Sequence, residues 1–340
     1  MTWFKRLTGI EEASPQAVRE NLVLKGHTLK SLVNGREMGC GRLEIPSLGH
    51  LRQRVQSVGD NTRTGKISVR QIVSNVQCLH LDPENSDALF QVASQFNLLE
   101  MEGPSATPEQ GVGIYENDLT QGPACAIAAG AGTIYRNYFA VTNGEVGQSA
   151  DNQIDCLADI GDALGNSGSR LWRMTNGYGL ASHDGLIEIS KRLARSSQKE
   201  LDELRSLLRI GIQWDTEVTI EGGGHRVSQA YCSALPVAYS RHASSAWEPF
   251  ARLILEASYE ATLCAAILNS RRSGSPKLFL TLLGGGAFGN QPLWILDAIE
   301  RALTAYQGAS ALDVVIVSYG STDPLVHKIV DRFRSRFPPD

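Results

Sequence analysis

The sequence has no apolar run long enough to cross a bilayer and no CxxC pair. It also has no GKS or GKT after its glycines, and no surplus of basic residues. The first absence excludes a helical membrane span. The second leaves six widely spaced cysteines (Cys40, Cys78, Cys125, Cys156, Cys232 and Cys264) without zinc spacing or a disulfide framework. They read as reduced, mostly buried thiols. The third excludes a Walker loop. Thirty-two Lys and Arg against thirty-six Asp and Glu, with a pI near 6.0, argue against a dedicated nucleic-acid binder. The opening MTWFKRLTGIEEAS lacks the apolar stretch and small-residue cleavage site of a secretory signal. A cytoplasmic protein is therefore expected, with export by a specialised secretion system left open.

What is present is a foldable chain of 340 residues, 42% hydrophobic and 20% charged. Near the start, Asn34-Gly35 stands between two partly apolar runs, the signal of a tight type I′ hairpin. Ser47 is placed to cap a short helix. Val73 to Leu81 reads as strand-like, breaks at Asp82-Pro83, and resumes as a buried strand from Ala88 to Ser94. Asn97 to Gln121 shows no periodicity, and loops of that length are usually functional. A helix then starts near Thr120 and Pro123.

Residues 150–209 read as largely helical in three segments broken by glycine. After them come IGIQWDTEVTI and VSQAYCSALPVAY as strands and SAWEPFARLILEASYEATLCAAILNS as a long helix. KLFLTLL (strand), PLWILDAIERALTAY (helix) and LDVVIVSYG (strand) complete the pattern. This alternation predicts a doubly wound α/β layer with its ligand site at strand carboxyl ends.

Two segments could carry chemistry. In LFLTLLGGGAFGNQPLW, Gly284, Gly285 and Gly286 lie between a buried strand and an amphipathic helix, followed by Ala287, Phe288, Gly289 and Asn290. Such a loop lets backbone N–H groups converge on an anion beside a helix N-terminus, or it is simply a tight packing turn. Phe288 and Trp294 favour a phosphate-and-sugar site. In YENDLTQGPACA, Glu116 and Asp118 precede a helix start. They either cap that helix or supply acid/base groups for glycosidic cleavage. Gln229, Tyr231 and Ser233 alternate along one strand, as cleft residues or as a buried polar row. The histidines show no ligand spacing, so no metal and no redox cofactor is expected.

ALFQVAS, the long loop and helix, LTLLGGGAFGNQPLWILDAIERAL and LDVVIVSYG together resemble a macrodomain. The poly(ADP-ribose) glycohydrolase branch is the nearer likeness. There a strand ending in a GCGAFG-type loop precedes a helix and a DVVYFTFG-type strand. The match is specific over Lys277 to Gly320 and holds in outline over Leu79 to Ala131. TQGPACA and CSALPVAY are also similar in style to bacterial effector macrodomains that remove ADP-ribose from modified ubiquitin. The resemblance implies a three-layer α/β/α mixed sheet. Residues 1–65 would be an N-terminal extension packed on the core. Residues 66–340 would be the ADP-ribose-binding domain, with a helical insertion at about 150–209.

It further implies an ADP-ribose cleft in which the GGGAFGN backbone surrounds the diphosphate. Ser94, Asn97, Gln121 and Gly122 stand at the corresponding loop and helix start, and Asp82 is a candidate for the adenine amino group or a turn residue before Pro83. The branch's three glycines followed by Gln-Glu-Glu are absent. Gln121-Gly122-Pro123-Ala124-Cys125 opens the helix instead, and Gln91-Val92-Ala93-Ser94 replaces Asn-Ala-Ala-Asn. The expected activity is hydrolysis of an ADP-ribosyl linkage on a protein, with ubiquitin one candidate, and Glu116 or Asp118 as the catalytic carboxylate. The alternatives are a non-catalytic ADP-ribose reader and an enzyme acting on a small ADP-ribose derivative. No nucleic acid or membrane partner is expected.

Overall fold

The computed structural model describes residues 1–57 and 65–338. Seven strands form the central sheet: β1 Arg42–Glu44, β2 Ser68–Val73, β3 Leu89–Ala93, β4 Gly211–Glu217, β5 Arg226–Cys232, β6 Lys277–Leu280 and β7 Asp313–Ser318. Their order is β1-β4-β5-β3-β6-β7-β2. From β5 to β2 every pairing is parallel, while β4 runs antiparallel to both β1 and β5. The chain is thus mixed α/β with a mostly parallel sheet between helices, as expected.

Alternation along β3 shows why both faces must be covered. Phe90 stacks on His80 of helix α2 (Val76–Leu81), with ring centroids 3.8 Å apart. Gln91 points the opposite way and donates to Thr262 Oγ1 at 3.0 Å, on helix α5 (Ser244–Ser273). Between these in sequence, α3 spans Gln121–Ala128 and α4 Gly130–Tyr138, on the α2 side of the sheet. Helices α6 (Pro292–Tyr306) and α7 (Pro324–Arg336) follow β6 and β7.

Helix α5 is buried along most of its length, which fits a helix enclosed by the sheet, α6 and the insertion. Helix α6 starts on Pro292 and buries Trp294, Ile295, Ala298, Ile299, Ala302 and Leu303 on one stripe. Glu260 of α5 is held between Arg52 and Arg301, at 2.6 and 2.7 Å. Burial alone would raise its pKa, but hydrogen bonds from those two guanidiniums outweigh that and hold it below the usual carboxylate range.

The N-terminal residues do more than lean on the core. β1 is the edge strand of the main sheet, beside a separate antiparallel sheet of Leu22–Lys25, Thr28–Ser31 and Glu37–Gly39. Trp3, Phe4 and Leu7 of α1 (Trp3–Thr8) join Ile134 and Tyr138 of α4 in a second apolar cluster. The boundary expected after residue 65 adjoins residues 58–64, which lie outside the described residues.

Three local expectations need correction. The run from Val73 to Leu81 is not a strand: the strand, Ser68–Val73 paired with β7, ends at its first residue, and Val76–Leu81 is helical because Asn75 accepts from the Gln77 amide and opens the turn. The hairpin at Asn34-Gly35 exists, but Ser31 N donates to Arg36 O at 2.9 Å across a longer loop than a two-residue turn. Within 150–209, helices Ala158–Leu164, His183–Arg195 and Gln198–Leu207 form, but Trp172–Thr175 and Tyr178–Ala181 pair as a β-hairpin.

Candidate active site

At the carboxyl ends of β3, β6 and β7 lies a cavity of about 900 Å³. Its walls come from the loops after β3 and β5, the start of α3, the glycine loop after β6, the first turns of α6, and the end of β7 with the residues that follow it to Pro324. The insertion contributes through Tyr178.

The glycine loop is shaped by its own backbone. Gly284 adopts φ +73°, where a Cβ would press on Ala234 and Asn290. Asn290 N donates to Gly284 O at 2.9 Å, and Asn290 Nδ2 donates to Leu235 O at 2.9 Å. With the loop pinned, the amides of Gly286, Ala287 and Phe288 donate to no protein group among the described residues. A Cβ on Gly286 would meet nothing within 4 Å. Such unbonded backbone amides have the geometry to receive an anion, and the start of α3 lines the same cavity. Phe288 closes one wall with Tyr178 and Tyr239, at centroid distances of 5.2, 5.4 and 5.6 Å around the triangle.

Opposite stands a carboxyl that sequence reasoning did not single out. Glu100 lines the cavity but is almost wholly buried, and its Oε1 has no partner among the described residues. Burial pushes its pKa well above the carboxylate range; the charge of Arg136 opposes that, and Asp118 adds to it. Arg136 is itself buried, donates from Nε to Leu98 O at 3.1 Å, and lies 3.5 Å over the Tyr231 ring. Burial thus favours the protonated form of Glu100. The signal in the sequence was an acid inside the apolar stretch ALFQVASQFNLLEM.

Of the residues expected at the site, Ser94, Asp118, Gln121, Gly122, Gly284, Gly285, Gly286, Ala287 and Phe288 line the cavity. Asp118 accepts from Thr120 N at 2.8 Å, and Gln121 Oε1 accepts from Val76 N at 3.0 Å. Ser94 Oγ donates to Gln95 O at 3.1 Å.

The others lie elsewhere. Glu116 turns away to α1, accepting from Trp3 N at 2.8 Å and pairing with Arg6 at 3.2 Å. Asp82 caps the turn Pro83–Asn85 by accepting from Glu84 N, at the opposite end of the sheet from the cavity. Asn97 is buried in local bonds: Oδ1 accepts from Leu99 N and Nδ2 donates to Gln153. Gly289 packs on Ala238, and Asn290 holds the loop from behind. Trp294 is buried in α6 and does not reach the cavity. Gln229 and Tyr231 form a buried polar row, with Tyr231 Oη donating to Gln229 Oε1 at 2.7 Å.

Residues that sequence reasoning missed include Glu102, Tyr178, Tyr239 and Asp323. All six cysteines are free thiols, and only Cys78 is exposed. Among the described residues no three His, Cys, Asp or Glu side chains gather as a metal-ligand set.

No protein-family model matches the sequence, and no curated protein is similar to it. Among solved structures, the chain is similar in outline to the poly(ADP-ribose) glycohydrolase of Thermomonospora curvata, at 12% identity and a TM-score of 0.46, over 93% of this chain and 95% of that one. The same enzyme bound to the inhibitor ADP-HPD gives 13% identity and a TM-score of 0.45, over 94% and 95%. The poly(ADP-ribose) glycohydrolase of Deinococcus radiodurans in complex with ADP-ribose gives 12% and 0.43, over 86% and 92%.

Proposed function

We propose that the chain is an ADP-ribosyl hydrolase, releasing ADP-ribose from a modified protein. The observation that carries this reading is one cavity lined both by a glycine loop with unbonded backbone amides and by a buried carboxyl, Glu100, whose Oε1 has no partner among the described residues. The loop suits a diphosphate. The carboxyl suits a reaction in which a leaving group must gain a proton.

In this reading the C1″ bond to the protein breaks as Glu100 gives its proton to the departing atom. Asp118 takes a proton from the water that adds to C1″. The products are ADP-ribose and the unmodified side chain, and proton return to Glu100 from solvent or Asp118 resets the site. Glu100 replaces Glu116 as the proposed acid, because Glu116 is committed to α1.

The second reading is a non-catalytic ADP-ribose reader. A buried carboxyl oxygen left unpaired costs stability, and beside a cavity it is accounted for by a catalytic role. Calorimetry with ADP-ribose, followed by turnover of mono-ADP-ribosylated proteins including ubiquitin, tests both. Binding with release supports the hydrolase, binding without release on any linkage supports the reader, and no binding rejects both.

A further inference from the structure

The mouth of the cavity has a character that its floor does not share. Leu119 and Tyr319 line it yet remain 85% and 63% exposed, and Tyr239 is 39% exposed. Leu293, beside the lining residue Pro292, is 60% exposed. Single exposed apolar residues are ordinary, but these four come from four separate segments, three of them lining one cavity and the fourth beside a lining residue.

The charge at the same opening has one sign. Glu102, Asp118 and Asp323 line the cavity, and among the described residues no Lys, Arg or His does. Glu102 Oε1 accepts from Asn117 Nδ2 at 2.8 Å and Asp323 Oδ1 from Leu325 N at 2.8 Å, so neither of these bonds brings a cation. An apolar, acidic rim repels a second diphosphate and attracts basic side chains set among apolar ones.

We infer that the rim docks the polypeptide carrying the ADP-ribose, and that the residues flanking the modified one are basic and apolar. This rests on the proposed hydrolysis at this cleft. A single protein-linked ADP-ribose is then the substrate. A polymer of ADP-ribose is a poor one, because each further unit brings another diphosphate against Glu102, Asp118 and Asp323.

The test uses the full chain and three substrates: a mono-ADP-ribosylated peptide flanked by Lys and Leu, the same peptide flanked by Glu and Ser, and poly(ADP-ribose). Calorimetry with free ADP-ribose runs alongside. The Lys/Leu peptide should be turned over with kcat/KM on the order of tenfold above the Glu/Ser peptide and the polymer. That advantage should shrink with added salt. It should also shrink in a Leu119→Ser/Tyr319→Ser variant and in a Glu102→Gln/Asp323→Asn variant, by a larger factor than any change in ADP-ribose affinity. Asn keeps the α7 cap, so the second variant guards against misfolding of the first.

ADP-ribose binding with equal turnover of all three substrates overturns this inference and leaves the hydrolase reading standing. Absence of ADP-ribose binding overturns both. Self-association abolished by Leu119→Ser would assign the rim to a second copy of the chain and overturn it too.

Discussion

Glu100 and Gly122 share one space: a Cβ built on Gly122 would lie 2.8 Å from Glu100 Oε2 and would also collide with Ala93 O. The absence of a side chain at the second residue of α3 is what lets the carboxyl sit against the helix start and face the cavity. A fit this close between a buried acid and a glycine makes the pair testable from either side.

From the acid side, Glu100→Gln keeps the shape and the burial but cannot supply the proton. Turnover should fall by about 10²–10⁴-fold while ADP-ribose affinity changes little, because the group acts mainly in the transition state. Calorimetry together with single-turnover release measures both quantities. A variant that still turns over at the wild-type rate removes Glu100 from the chemistry.

From the glycine side, Gly122→Ala should displace the carboxyl without removing it. The expected result is a lower kcat and a loss of about 1–3 kcal/mol in stability, since both the Ala93 carbonyl and Glu100 must move. Urea denaturation and turnover on the same preparation read the two effects.

The raised pKa of Glu100 also has a stability signature. The folded state holds the proton to higher pH than the unfolded chain does, so between the ordinary carboxylate range and the folded pKa the native protein binds more protons. Stability therefore falls as pH rises through that window, and is greatest below it. Glu12 and Asp155, also raised by burial, add slopes of the same sign. Melting temperature against pH should decline less steeply in Glu100→Gln than in wild type, and an unchanged slope would show that Glu100 is ionised in the fold.

In the glycine loop, Gly284 and Gly286 should separate folding from binding. Gly284→Ala strains a backbone at φ +73° and presses on Asn290, so it should cost about 1–3 kcal/mol of stability. Gly286→Ala meets open space and should leave stability within about 0.5 kcal/mol of wild type. Its methyl crowds the free amides, and ADP-ribose affinity should weaken on the order of tenfold.

Glu116→Gln and Asp82→Ala should touch structure alone. The first loses a partly exposed ion pair with Arg6, worth about 0.5 kcal/mol or less, and the second loses the cap on Glu84 N. Neither should alter ADP-ribose affinity or kcat. A marked loss of turnover in Glu116→Gln would return that residue to the site.

The sequence by itself determined the elements whose cause is local. Apolar runs such as LFQVA and VVIVS can only be strands buried on both faces, and the i, i+3, i+4 stripe from Trp294 to Leu303 can only pack one side of a helix. Three glycines between such a strand and helix marked a loop with unbonded amides, because a loop that must turn sharply and expose amides needs them. The direction of a side chain from an irregular loop has no such local cause. Glu116 and Asp118 are two residues apart in one loop, yet one reaches back to α1 and the other lines the cavity. Glu100 became a candidate acid only when α3, α4 and β5 closed around it and removed its water. Tyr178 reached the cleft because the insertion folds a hairpin over Phe288, from more than a hundred residues away in the chain. Burial and approach of that kind are properties of packing, and only the tertiary structure decided them.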